Sequence, residues 1–222
     1  MRLFLKGEKM KLGEIKAEAY RLMFADIEFP DFSDEQYLNE TLDAIEQNPN
    51  YSEYANAMTG AINRCFASLE NKRVIPEKRV KLEFSKIGKS RTVLSDFADD
   101  IHSIDRISYI DEDKNLYIPS VDFAKEGRDI LILDVWRGGE YTLIYYPKIP
   151  RVKSTDGNSS EVALPDDIAC LIPYFIKGEL YRQDDANEAA EARNTYEAMV
   201  GELCDNSSSS YGCVDNVYTY GD

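Results

Sequence analysis

Residues 164–203, LPDDIACLIPYFIKGELYRQDDANEAAEARNTYEAMVGEL, decide the class of fold. Ile168, Leu171, Ile172, Phe175, Ile176 and Leu180 recur at helical spacing, and so do Ala189, Ala192, Tyr196, Met199, Val200 and Leu203. Leu164-Pro165 opens the first helix with proline in its first turn and with Asp166 and Asp167 at its positive end. Gln183-Asp184-Asp185 joins it to the second helix. Pro173 is expected to kink the first helix, because proline brings no N–H to the interior of a helix.

Upstream of this pair the pattern changes period. Pro147, Pro150 and the polar run Ser154–Ser160 close a block in which Val80, Leu82 and Phe84 alternate with Arg79, Lys81 and Glu83, as in a half-buried strand. Further strands are predicted at Ile104–Ile110, at Leu116–Ile118 continuing toward Phe123, at Asp129–Val135 and at Tyr141–Tyr146. Asp111–Asn115 and Gly138-Gly139 read as the hairpin turns between them.

Earlier still the pattern is helical again. Leu12, Ile15, Ala19, Leu22 and Met23 mark one helix. Ser33-Asp34-Glu35-Gln36 has the form of a capping box and opens another through Tyr37, Leu38, Leu42 and Ile45. Tyr54, Met58, Ile62, Cys65, Phe66 and Leu69 line a third that ends near Lys72. The order predicts an α+β fold, in which N- and C-terminal helices form a helical bundle carrying an inserted antiparallel β module. The expected boundaries are 1–73 for the first helices, 74–150 for the β module, 151–206 for the last helices and 207–222 for a flexible tail. Residues 1–9 read as a leader of little structural weight.

With 222 residues, 43% of them hydrophobic, the chain can bury a substantial core. Its 26 basic and 41 acidic residues give a net charge of −15, which argues against the basic surface that non-specific nucleic-acid binding needs. The charge is unevenly spread. Residues 183–222 hold nine acidic side chains against Arg193 alone, whereas residues 72–91 hold eight basic ones against Glu77 and Glu83. Lys78, Arg79, Lys81, Lys86, Lys89 and Arg91 form a candidate basic patch for subunit or partner contact. Opposite charge on different segments suits head-to-tail association of identical subunits; two separately solvated surfaces are the plainer reading.

Motifs of chemistry are sparse. The four cysteines, Cys65, Cys170, Cys204 and Cys213, form no CxxC pair and have only His102 beside them, so no zinc site is expected. Cys65 and Cys170 read as buried thiols of a protein made in a reducing cytoplasm. Asp111, Asp113 and Asn115 have calcium-loop spacing, with Asp122 at the twelfth position, but Leu116 stands where that loop needs glycine, so a plain turn is expected. Neither His102 nor Asp99-Asp100 has a motif to partner it in catalysis, and no phosphate-cradling glycine motif occurs. No catalytic, metal or cofactor residue is assigned. Tyr109, Tyr141, Tyr145 and Tyr146 fall on predicted strands, where they serve either as sheet residues or as a stacking platform for a sugar or a single-stranded nucleic acid. No apolar run is long enough for a membrane anchor. At the C-terminus Tyr211, Val214, Val217, Tyr218 and Tyr220 follow a Ser-rich linker; the segment is either a frayed end or one that adds a strand or plug to a neighbouring subunit.

The LPDD start, the PYFIKGELY helix and the DDANEAAEARNTYEAM helix resemble the C-terminal segment of tailed-bacteriophage head-tail adaptor (neck connector) proteins. A weaker likeness extends over KLGEIKAEAYRLMF and NAMTGAINRCFASLENKRV. The resemblance implies a structural virion protein at the neck, made in the host bacterial cytoplasm. It implies a homo-oligomeric ring, a dodecamer, docked between portal protein and tail or tail-hub proteins, through which DNA passes without sequence-specific binding. It also implies that C-terminal helices and tails reach the portal, which makes Tyr196, Met199, Leu203, Tyr211, Val214, Val217, Tyr218 and Tyr220 candidate portal or subunit contacts. The β block at 74–150 departs from the short adaptors. Alternatives are another phage ring component, a tail terminator or baseplate protein, and a monomeric carbohydrate- or peptide-binding module.

Overall fold

The computed structural model describes residues 9–209 apart from 25–26, 28, 30–33, 85–86, 112–115, 128 and 136–138. The fold is α+β, with helices at both ends and two antiparallel sheets between them in sequence. The chain divides into two compact units, one of residues 1–65 and 152–222 and the other of residues 66–151.

The first unit contains α1 (Leu12–Met23), α2 (Glu35–Gln47), the start of α3 (Ser52–Asn71), the short α4 (Asp166–Ala169), α5 (Ile172–Leu180) and α6 (Ala186–Ser209). Helix α1 packs against α2 and α5, and α5 packs against α6. Most of the apolar stripe residues read from the sequence are buried, with Ile15, Leu42, Ile62, Ile172 and Ile176 closed to solvent, whereas Tyr37 is exposed. The N-terminal end of α1 is tied to distant sequence, since Leu12 and Gly13 donate backbone hydrogen bonds to Ser160 and Asn158 at 2.9 and 2.8 Å. A Cβ on Gly13 would stand 3.0 Å from that of Asn158, so the close approach requires glycine.

Three local details differ from the sequence reading. Helix α2 is capped by Asp34, whose carboxylate accepts the Tyr37 N–H at 3.1 Å, one residue later than the expected Ser33, which lies outside the described residues. Pro173 does not kink a single helix. It lies in the first turn of α5, where its missing N–H removes nothing, and the helix divides into α4 and α5. Helix α6 runs to Ser209, beyond the expected start of the tail at 207.

The second unit is a sandwich. One sheet has the order β1 (Lys78–Phe84), β7 (Gly139–Pro147), β3 (Ile101–Asp111), β4 (Leu116–Ile118). The other has the order β2 (Gly88–Val93), β6 (Ile130–Val135), β5 (Phe123–Glu126). Register places Leu82 opposite Tyr141 and Tyr141 opposite Tyr109, so all three share one face. That face meets Leu131, Leu133 and Val135 of the other sheet in one buried cluster. The sequence reading missed β2 and did not separate β5 from β4. Gly138 lies outside the described residues and Gly139 opens β7, and β6 and β7 do not pair as the expected hairpin because they belong to different sheets.

Each unit closes on itself where the chain passes between them. In the first, the Asn63 amide donates to the Val152 carbonyl at 2.8 Å and accepts the Val152 N–H at 2.9 Å. In the second, the buried Glu70 carboxylate accepts the Ile149 N–H at 2.7 Å and the Arg151 guanidinium at 2.6 Å. Arg73 then ends α3 in a left-handed conformation, φ 55°. Its N–H bonds to the Glu70 carbonyl and that of Val74 to Leu69, a Schellman pattern in which glycine is usual. Arg73 has a reason to be there: its guanidinium stacks 5.2 Å from the Tyr146 ring centroid.

Among the described residues no helix is long and apolar enough to cross a membrane. Because Glu70 satisfies a buried backbone donor, Glu70→Ala is expected to destabilise the protein by about 2 kcal/mol in urea unfolding, and Glu70→Gln, which keeps an acceptor, by less. Equal midpoints for the two variants would show that the Ile149 contact carries no such energy.

Candidate functional site

Helix α6 is positioned from its first residue. The Asp185 carboxylate accepts the N–H groups of Asn187 and Glu188 at 2.9 and 3.0 Å, which satisfies the exposed start of the helix. Ala189, Ala192, Tyr196 and Val200 recur at helical spacing and are buried. Gly178 of α5 permits the close contact, since a Cβ there would stand 3.2 Å from the Arg193 backbone nitrogen. Phe175 meets the Tyr196 ring edge-on, centroids 5.2 Å apart, and the Arg193 guanidinium lies 5.2 Å from the Phe175 centroid.

This packing corrects one expected contact. Tyr196 is fully buried inside its own unit, so it is a core residue and cannot meet a portal or another subunit. Met199 and Leu203 are half-buried. Tyr211, Val214, Val217, Tyr218 and Tyr220 lie outside the described residues. What α6 offers outward is charge. Glu188 pairs with Lys177 at 2.7 Å and Glu197 with Arg193 at 3.4 Å, whereas Glu191 and Glu202 make no ion pair among the described residues.

The turn into α6 is braced by aromatic rings. Phe24 stands 4.7, 4.9 and 5.9 Å from the ring centroids of Tyr51, Tyr54 and Tyr181. The Tyr54 hydroxyl donates to the Asp184 carboxylate. Burial, reinforced by that hydrogen bond, holds the Tyr54 phenol above its ordinary range, so it stays a donor at all physiological pH. The sequence had no periodicity to reveal this cluster, which draws on α1, the start of α3 and the turn after α5.

The basic patch is dispersed. Lys78, Arg79 and Lys81 lie on β1 and Lys89 and Arg91 on β2, which are edge strands of different sheets; Lys86 lies outside the described residues. Strand alternation also turns Lys78 to the face opposite that of Arg79 and Lys81. Three of the cations have partners: Lys78 meets Asp100 at 2.6 Å, Lys81 meets Glu140 at 2.8 Å and Arg91 meets Glu126 at 2.9 Å. Such exposed pairs contribute little stability but reduce the field of the patch. Arg79 and Lys89 have no such partner among the described residues, so the unneutralised charge is narrower than the sequence count suggests.

The carboxylate pair and the histidine have structural surroundings. Burial pushes the Asp100 carboxyl up, but hydrogen bonds from Lys78 and Tyr145 outweigh it and hold it below the usual range. The same contact, after burial, pushes the Tyr145 phenol up to about 12. His102 Nδ1 lies 3.9 Å from Glu70, beyond hydrogen-bonding distance. Cys65 is buried, but Cys170 is only half-buried, against expectation, and its thiol donates to the Asp167 carbonyl at 3.2 Å. Burial, reinforced by the Asp167 carboxylate, raises the Cys170 thiol, which lowers its thiolate fraction. Of the four tyrosines expected on strands, Tyr109, Tyr141 and Tyr145 are buried in the sandwich, and Tyr146 is half-buried with the Arg73 guanidinium over its ring.

A core role for Tyr196 has a direct consequence. Tyr196→Ala should lower unfolding free energy by about 3 kcal/mol, the scale for deleting a buried aromatic ring, while Lys89→Ala should change it by less than about 0.5 kcal/mol. Chemical denaturation followed by circular dichroism separates the two. The chain matches no model of a known protein family and no curated protein.

Proposed function

We propose that this chain is a structural virion protein, a head-tail adaptor that forms a ring between the portal and the tail of a tailed bacteriophage and extends the DNA channel. The observation that carries the reading is the charge placement. Each copy bears an acidic helix, α6, in one unit and a cationic strand edge, β2, in the other, and dissimilar surfaces on identical chains associate head to tail. A closing rotation turns such association into a ring. The resemblance of residues 164–203 to adaptor proteins supplies the place of that ring, below the portal. An acidic channel wall would let DNA slide, because it offers no cations to the phosphates.

The β sandwich distinguishes this chain from short adaptors and is a second body able to meet the tail or the next subunit. The binding-module alternative receives no support from Tyr109, Tyr141 and Tyr145, which lie in the core. The test is the mass of the protein alone and mixed with a purified portal ring, measured by light scattering. A stoichiometric complex is expected, whether or not the free protein is a monomer. A protein that stays at 25.3 kDa and leaves the portal peak unchanged would remove the adaptor reading.

A further inference from the structure

Four strands end the two sheets, and they are unequal as docking edges. Strand β4 has three residues and β5 four, each too short to hold a long partner strand. Strand β1 carries Glu83, and its Lys78 and Lys81 are already neutralised. Strand β2 is different. It has six residues, Gly88–Val93, with no acidic side chain and no proline. It pairs only with β6 among the described residues, so its other side presents backbone N–H and C=O groups without a strand partner. Lys89 on it has no ion partner among the described residues. Ile87, just before it, is 73% exposed and Val93, at its end, 42%. Among the described residues nothing stands within 4 Å of a Cβ built at Gly88.

The same chain carries a complementary segment. After Arg193 it has no basic residue, and its end reads CVDNVYTYGD, residues 213–222. Val214, Val217, Tyr218, Thr219 and Tyr220 give the segment a composition rich in strand formers. Cys213–Tyr220 would span about 26 Å when extended, enough to run the length of β2. Its single carboxylate within that span, Asp215, matches Lys89, the β2 cation that has no ion partner among the described residues.

We infer that residues 213–220 of one copy add as a fourth strand to the β2 edge of a second copy, with Asp215 beside Lys89. Choosing a second copy as the donor rests on the ring reading. Main-chain hydrogen bonds supply the affinity, and the charge pair fixes the placement. Each subunit then both gives and receives a strand, which is the head-to-tail geometry that a ring requires.

The test uses full-length protein without a portal, with self-association read by sedimentation over a range of concentrations and folding checked by circular dichroism. The wild type should associate. Val217→Pro, which removes a backbone donor from the added strand, should abolish association without loss of fold. Lys89→Glu and Asp215→Lys should each weaken it roughly tenfold, because repulsion replaces attraction across the strand pair. An equimolar mixture of these two charge-reversed chains should regain wild-type association, since every contact between unlike chains is again between opposite charges. A wild type that is monomeric throughout, a Val217→Pro protein that associates normally, or a mixture as weak as its components would overturn the inference. Portal docking is read separately, so rescue in the mixture with no portal complex would keep strand addition and reject the adaptor, and the reverse result would do the opposite.

Discussion

The fold depends on a constraint at the entrance and exit of the β module: a segment inserted into a helical unit must return close to where it left. Glu70, near the end of α3, meets that constraint chemically. Its carboxylate is buried, which is costly for a lone charge, yet it receives the Ile149 N–H and the Arg151 guanidinium, residues that follow β7. Ingoing helix and outgoing chain therefore meet at one satisfied ion. Asn63 and Val152 make the corresponding neutral contact in the helical unit, exchanging both of their hydrogen bonds. With the ends of the insertion held, the strands between them are free to form a sandwich with its own core, separate from the helices.

Within each unit the same physical rule assigns the side chains. In the sandwich, antiparallel register lines up Leu82, Tyr141 and Tyr109, and the pleat sends their neighbours outward. In the helical unit, the period of 3.6 turns Ala189, Ala192, Tyr196 and Val200 of α6 to the inside and its glutamates to the outside. The charge difference between the units is thus a by-product of where apolar residues must go. The outward residues of α6 are mostly acidic, and those of β2 include Lys89 and Arg91.

Much of this was legible in the sequence, and the gaps have particular causes. The helices and the α+β class follow from apolar spacing, which burial enforces. Strand β2 escaped because Lys89, Ser90, Arg91 and Thr92 place polar residues on both faces, as an edge strand allows. The split at Pro173 escaped because a proline's effect depends on its position in the turn, and a sequence does not show which helix start will win. Gly138-Gly139 read as a hairpin because the assignment of β6 and β7 to different sheets is a tertiary fact. Tyr196 was read as a contact because a slim apolar stripe on a helix looks alike whether its cover is the same chain or another. The basic run at residues 72–91 looked like a single patch because spacing along a strand hides which face each cation takes and which carboxylate waits across it.

The proposed ring between portal and tail would join these elements into one account, with residues 213–220 of one subunit seated on the β2 edge of another. Electron cryomicroscopy of the protein mixed with a portal ring tests that account most directly. A closed ring of this chain, coaxial with the portal channel and with the β sandwich of each subunit touching its neighbour, is the predicted image. Bare portal rings, or single copies attached away from the channel axis, would contradict it.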